Sequence, residues 1–174
     1  MIESDRIGTF VVEMAPLNLM PHAVNTFLRQ VDSKLWDNTV FWHHDGIDHI
    51  ISAAPTLFGR GDTKHHHFEA MGVRELSFAE YSPEYPHEQF TLGFADRGPN
   101  FYINAIDNTK GHGPGGQKRR SEDHADPCFG KIVDGLDTIR EMYKVQLRQS
   151  SEAVKKHEWH DDEVTKIVSV TILK

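Results

Sequence analysis

The chain has 174 residues, 38% of them hydrophobic and 10% aromatic, which suits one folded domain and excludes a disordered segment. Its formal net charge of −7 excludes a surface that follows nucleic-acid phosphates. Cys128 is the single cysteine, so neither an intrachain disulfide nor a cysteine-based zinc cage can form. We therefore expect one domain over residues 1–174, either whole or cut from a longer chain, without a nucleic-acid partner.

No apolar run reaches the roughly 18 residues of a membrane span, and residues 1–10 lack the apolar core of a signal peptide. No membrane partner is expected for this segment, and its compartment and oligomeric state stay open. The one compositional oddity is the presence of 12 histidines.

In chain order, β-branched and alternating apolar runs predict the strands, and apolar residues at helical spacing predict the helices. The first helix has Pro21 at a favourable first position, and Pro55 is expected to end a strand. Polar, glycine-rich stretches predict loops at 58–86 and 107–127. The predicted strands are 8–14, 39–42, 49–53, 89–95, 100–104, 128–133 and 164–173, and the predicted helices are 21–31 and 136–149.

Many short strands and only two clear helices predict a mainly β fold, a closed or nearly closed antiparallel barrel. Periodicity alone is also consistent with a β-sandwich. The apolar pattern therefore does not distinguish a β-barrel from a β-sandwich.

Several segments, in order along the chain, resemble the cyclophilin family of peptidyl-prolyl cis-trans isomerases. The most specific is C-F-G-K-I-V-D-G-L-D-T-I at 128–139, which resembles the family's V-F-G-K-V-x-x-G-x-x-x-V. The resemblance implies an eight-stranded antiparallel β-barrel capped by two α-helices, a role in protein folding, and Pro-containing peptide segments as partners. The other matching segments are G-T-F-V-V-E-M at 8–14, P-H-A-V-N-T-F at 21–27, W-D-N-T-V-F-W-H at 36–43, G-R-G-D at 59–62 and L-G-F-A-D-R-G-P-N-F-Y-I-N at 92–104.

The family reaction is rotation about an X-Pro bond, whose uncatalysed barrier is roughly 18–20 kcal/mol. The family stabilises the twisted amide with the arginine of F-H-R, a fixed and permanently charged donor. Counting from Phe41 places His43 at that position, and a gapped comparison places His44 or His49 there instead. No arginine lies between Arg29 and Arg60, so we expect weak or absent isomerase activity.

The resemblance also implies an aromatic hollow for the proline ring. Asn100 stands where the family has glutamine, Tyr102 where it has phenylalanine, and Asp126 where it has a histidine. The predicted substrate-binding residues are Phe41, Phe58, Phe94, Asn100, Phe101 and Tyr102.

The histidines allow a second interpretation. His44 with His65 and His67, from the run at 65–67, could converge on zinc or another divalent transition metal, although no recognised ligand spacing is present. The family itself needs no cofactor. Three hypotheses follow: a peptide-binding cyclophilin with little catalysis, a noncatalytic interaction domain that binds through a loop, or a metal-dependent activity on the same barrel.

Overall fold

A computed structural model describes residues 1–4, 7–42, 49–58, 62–116, 124–146 and 164–173. This part of the chain is mainly β, with eight strands and four helices. The strands are β1 (Ile2–Ser4), β2 (Gly8–Met14), β3 (Thr39–Trp42), β4 (Ile50–Leu57), β5 (Thr91–Phe94), β6 (Phe101–Asn104), β7 (Cys128–Asp134) and β8 (Thr165–Val170). The helices are α1 (Pro21–Asp32), α2 (His65–Ala70), α3 (Thr109–His112) and α4 (Leu136–Gln146).

Seven strands form a continuous curved antiparallel sheet in the order β2-β7-β5-β6-β4-β3-β8. The three-residue β1 hydrogen-bonds to β2 on one side and to β8 on the other, which joins the two edges of that sheet. The predicted mainly β, antiparallel architecture is confirmed. The prediction of a closed eight-stranded barrel needs correction, because seven strands form an open curved sheet whose edges are joined only by the three-residue β1.

The prediction that Pro55 ends its strand was wrong. The strand β4 continues to Leu57, because the register against β3 shifts between Thr39 and Val40, which pair with Leu57 and Ala54. Two β4 residues, Pro55 among them, therefore lie opposite no residue of β3. A proline is tolerated at such a bulge because no ladder bond requires its missing N–H.

The helix α1 begins at Pro21 with a cap that comes from far along the chain. The Glu80 carboxylate accepts hydrogen bonds from the backbone N–H groups of His22 at 3.1 Å and Ala23 at 2.7 Å. These are two of the donors that a helix N-terminus leaves unsatisfied, and the negative charge suits the helix dipole. The loop before β5 is thereby attached to α1.

Aromatic side chains fill the space between α1 and the sheet. Phe27 packs against Phe129 and Phe101, with ring centroids 4.6 and 5.4 Å apart, and Phe94 lies 4.5 Å from Phe129. Each such pair contributes about 0.5–1.5 kcal/mol beyond the burial of its surface. The core therefore holds the inner faces of β5, β6 and β7 in a fixed relation to α1.

The described residues form two short helices, α2 and α3, in addition to the two helices that the sequence predicts. The histidine run at 65–67 begins α2 rather than lying in a loop, and α3 lies within the stretch predicted to be an exposed loop. His112, at the end of α3, is buried, as is Asp126 just before β7. No helix in the described ranges has both the length and the apolar character needed to cross a membrane.

Candidate functional site

A cavity of about 520 Å³ opens on the outer side of β4 and β6, between these strands and the segment that contains α3. Such a volume suits a small ligand or a few residues of a peptide. No arginine or lysine belongs to the described lining. The lining consists of Trp42, His49, Ile50, Ser52, Ala95, Asp96, Asn100, Phe101, Tyr102, Gly111, His112, Gly116 and Asp126.

Tyr102 lies at the centre of the strands that border the cavity. Tyr102 pairs with Ser52 across these strands, and on its other side it pairs with Gly93 of β5. A methyl group on Gly93 would lie 2.5 Å from the His87 ring and 3.0 Å from the Tyr102 ring. Glycine at this position therefore allows these two rings to stack, with centroids 5.9 Å apart.

Behind the Tyr102 ring lies the buried carboxylate of Asp126. Its Oδ2 accepts a hydrogen bond from the Tyr102 hydroxyl at 2.8 Å and lies 2.7 Å from Nδ1 of His112. Its Oδ1 accepts the backbone N–H of Asp96 at 2.9 Å. His112 Nδ1 also lies 2.8 Å from the Tyr102 hydroxyl. Because a carboxylate only accepts and the Tyr102 hydroxyl donates to it, we assign the Nδ1 proton of His112 to Asp126, and this contact sets the orientation of the ring.

His112 connects this carboxylate to the cavity. Its Nε2 lies 3.0 Å from Nε2 of His49, which is half-buried and stands directly before β4. Asn108 holds the backbone at this point, since its amide donates to the His49 carbonyl at 3.0 Å. The result is a chain of contacts that runs from Asp126 through His112 to His49.

Asn100 offers the cavity an acceptor. Its side-chain Oδ1 is buried, and no residue in the described part of the chain donates to it. A buried carbonyl without a donor costs about 1–3 kcal/mol, which a ligand N–H would recover. Asn100 is therefore the polar group of the lining that is best placed to bind an amide.

Three of the six predicted substrate-binding residues, Asn100, Phe101 and Tyr102, belong to the cavity lining. The Phe101 ring, however, points inward and packs in the core. The other three do not line this cavity. Phe41 and Phe94 point inward and are core residues, because on each strand alternate side chains face the barrel interior. Phe58 packs on a separate small cluster with Val40, Trp42, Ala54 and Val164.

The predicted catalytic His43 and the predicted metal ligand His44 lie outside the described residues. His65 and His67 lie on α2, and burial lowers the pKa of His65. Within the described ranges, no group of three or more His, Cys, Asp or Glu side chains is arranged to hold a metal ion. His65 and His67, the two predicted metal ligands that the structure describes, therefore give no support to the predicted metal site.

Sequence reasoning missed His112 and gave no role to Asp126. His112 follows a glycine in a polar stretch that has no apolar period, so no pattern indicated its burial. Asp126 had one usable signal, since it stands where the resembling family has a histidine and it directly precedes a buried strand. His49 was considered only as an alternative position for the missing arginine.

The class of protein follows from a comparison with models of protein families. The family model for cyclophilin-type peptidyl-prolyl cis-trans isomerases matches residues 1–171. The chain therefore belongs to this family.

Solved structures agree on the fold. A cyclophilin-type peptidyl-prolyl cis-trans isomerase from Cryptosporidium parvum, solved in the presence of the dipeptide Ala-Pro, superposes with a TM-score of 0.66 at 19% identity. The alignment covers 99% of this chain and 98% of that one. A second structure of that protein gives a TM-score of 0.63 at 18% identity, covering 97% and 93% of the two chains. No curated protein matches the sequence.

Proposed function

We propose that this cyclophilin binds Pro-containing peptide segments in the cavity between β4, β6 and α3, and that it isomerises them weakly or not at all. The observation that carries the binding proposal is the lining itself. An aromatic and aliphatic floor adjoins one unpartnered acceptor, Asn100 Oδ1.

The floor suits a proline ring because a proline has an apolar surface and no N–H to satisfy. Ile50 and the ring of Tyr102 supply apolar contact, and Asn100 Oδ1 can accept an N–H from the residue that follows or precedes the proline. The cyclophilin from Cryptosporidium parvum, crystallised in the presence of Ala-Pro, supports the same class of ligand.

Weak catalysis is expected because the described lining of the cavity lacks a positively charged side chain. The described lining has no arginine or lysine, and the sequence has none between Lys34 and Arg60. A neutral imidazole keeps no fixed positive charge at pH 7, unlike a guanidinium. Loss of one preorganised donor typically lowers a rate by about 10²–10³-fold, and we expect a deficit of that size relative to an ordinary family member.

Two measurements on one sample test the proposal. A titration of ¹⁵N-labelled protein with an Ala-Pro-containing tetrapeptide should shift the amide signals of Phe101 and Tyr102. Exchange spectroscopy on the same peptide should show little acceleration of cis–trans interconversion. Asn100→Ala should weaken binding, and Asn18→Ala, at an exposed position away from the cavity, should leave it unchanged.

The two parts of the proposal fail separately. No chemical-shift change at millimolar peptide, or changes confined to residues far from the cavity, would overturn the binding proposal. Acceleration equal to that of an ordinary family member would overturn the claim of weak catalysis. His43→Arg supplies a positive control, because restoring the donor should raise the exchange rate if the direct count from Phe41 is correct.

A further inference from the structure

We propose that His49 and His112 form a two-histidine site for a divalent transition-metal ion at the α3 end of the cavity, with Asp126 as the group that orients His112. This site lies in the cavity proposed for the peptide, but it does not require a bound peptide. It also differs from the ligand set suggested by the sequence, because it uses neither His44 nor the run at 65–67.

The spacing of the two imidazoles fits chelation. The Nε2 atoms of His49 and His112 lie 3.0 Å apart, and their ring centroids lie 5.0 Å apart. With zinc–nitrogen bonds of about 2.0–2.1 Å, two ligands separated by about 90–110° have their nitrogens roughly 2.9–3.4 Å apart. A small rotation of either ring therefore aims both nitrogens at one ion.

The surroundings of His112 provide a second, independent indication. Metal-binding histidines usually donate their other ring N–H to a carboxylate, which fixes the tautomer and makes the free nitrogen a better ligand. Asp126 Oδ2 occupies that position, 2.7 Å from Nδ1 of His112. This carboxylate is almost fully buried and is itself held by Tyr102 and by the backbone of Asp96, so its orientation is fixed as well.

The proton balance is simple. Without metal, His112 Nδ1–H points to Asp126, and the second ring proton lies between the two Nε2 atoms, on His49. With metal, both Nε2 lone pairs bind the ion and the His49 proton moves to its Nδ1 through solvent. No net charge leaves the pair. The adjoining cavity has room for the water molecules that complete the coordination shell, since the protein supplies two ligands.

Imidazole pairs suit zinc, copper and nickel rather than magnesium or calcium, which prefer oxygen ligands. Zinc is the direct probe, added to protein from which any purification tag has been removed. The histidines on α2, of which His66 and His67 are exposed, would bind zinc nonspecifically. The background for every measurement is therefore the triple variant His65→Ala, His66→Ala, His67→Ala.

In calorimetric titrations the triple variant should still bind one zinc ion per chain. His49→Gln and His112→Gln in this background should each weaken binding at least tenfold. Asp126→Asn should weaken it by about 10–100-fold, the usual cost of losing an orienting partner. Binding that disappears in the triple variant, or that persists when either His49 or His112 is replaced, would overturn the site, as would the absence of binding by the folded background protein.

A second measurement needs no change at the site itself, in case His112→Gln fails to fold. Substoichiometric Cu²⁺ added to the triple variant should broaden the imidazole NMR signals of His49 and His112 before those of the other seven histidines that this variant retains. Broadening that begins at any of those seven would overturn the proposal.

Discussion

The Asp126 carboxylate and the His112 imidazole lie 2.7 Å apart inside the protein, although the two residues are 14 positions apart in the chain. Both side chains are nearly inaccessible, at 1% and 4% exposure. Because buried polar groups are costly unless they are bonded, this contact constrains the whole wall of the cavity. It links the segment before β7 to the end of α3, and through Tyr102 it reaches β6.

Replacing Asp126 with asparagine should lower the free energy of unfolding by about 1.5–3 kcal/mol, since one oxygen that accepts from charged or polar donors becomes an NH₂ group. The His112 ring should also change tautomer, because its Nδ1 would then face a donor. Urea unfolding measures the first effect, and the ¹⁵N shifts of the His112 ring measure the second.

The matched control is Asp137→Asn on α4, where the carboxylate is exposed and its ion pair with Arg140 lies on the surface. Surface pairs of this kind contribute about 0–1 kcal/mol, so this variant should be close to wild type. Equal losses in the two variants, or an unchanged His112 tautomer in Asp126→Asn, would contradict the assigned role of the buried carboxylate.

Much of the fold could be predicted from the sequence, because strands and helices are determined largely by residue patterns that extend over only a few positions. The strand at 39–42 and the start of α1 at Pro21 were predicted with their observed bounds, since β-branched runs and a proline at the first helical turn act over a few residues. By contrast, β4 runs past Pro55 because the register shift opposite it depends on β3, a tertiary contact that no local pattern contains.

Only part of the candidate site could be predicted from the sequence. Asn100 and Tyr102 were found by position within a resembling motif, which carries spatial information. Phe41 and Phe94 were assigned to the same surface because aromatic character alone does not tell which face of a strand a side chain occupies. The pairing of His112 with Asp126 joins two segments across the fold, so neither segment could reveal it alone.

A methyl group at Gly93 should disturb the cavity more than its size suggests. In Gly93→Ala the new Cβ would meet the His87 ring at 2.5 Å and the Tyr102 ring at 3.0 Å, and both rings are held by buried hydrogen bonds. Overpacking of this kind costs about 1–3 kcal/mol. We expect that loss in thermal unfolding, together with weaker binding of the Ala-Pro-containing tetrapeptide.

Gly111→Ala is the corresponding control, because Gly111 also lines the cavity but its added methyl would lie 3.7 Å from the nearest neighbour, the Asn108 amide oxygen. That is an ordinary contact distance, so stability and peptide affinity should be retained. If Gly93→Ala bound peptide as wild type does, the rings of His87 and Tyr102 would not shape the site.

The cap on α1 can be tested in the same way. Glu80→Gln keeps the shape of the side chain but removes the charge that faces the helix N-terminus at His22 and Ala23, so stability should fall by about 1 kcal/mol. Glu84→Gln changes an exposed carboxylate four residues away and should have little effect. A denaturation midpoint for Glu80→Gln equal to that of Glu84→Gln would mean that the cap contributes nothing measurable.

The single cysteine supplies a pH-dependent test of burial. Burial raises the pKa of the Cys128 thiol to about 12, well above its ordinary 9.0. Because the folded state holds this proton more tightly, its contribution to stability is complete below pH 9 and is lost as the pH rises from 9 towards 12. Between pH 9 and 11, unfolding free energy should fall more steeply in the wild type than in Cys128→Ala, by up to about 1.4 kcal/mol per pH unit.

Thiol labelling checks the same burial kinetically. At pH 8 the native thiol should react with a disulfide reagent only on unfolding, because the thiolate is the reactive form and the sulfur is inaccessible. Ser77→Cys in a Cys128→Ala background places a thiol at an exposed position and should react at once. Rapid labelling of native Cys128 would show that β7 opens readily. In that case the wall of the cavity that follows Asp126 would be far less rigid than its hydrogen bonds imply.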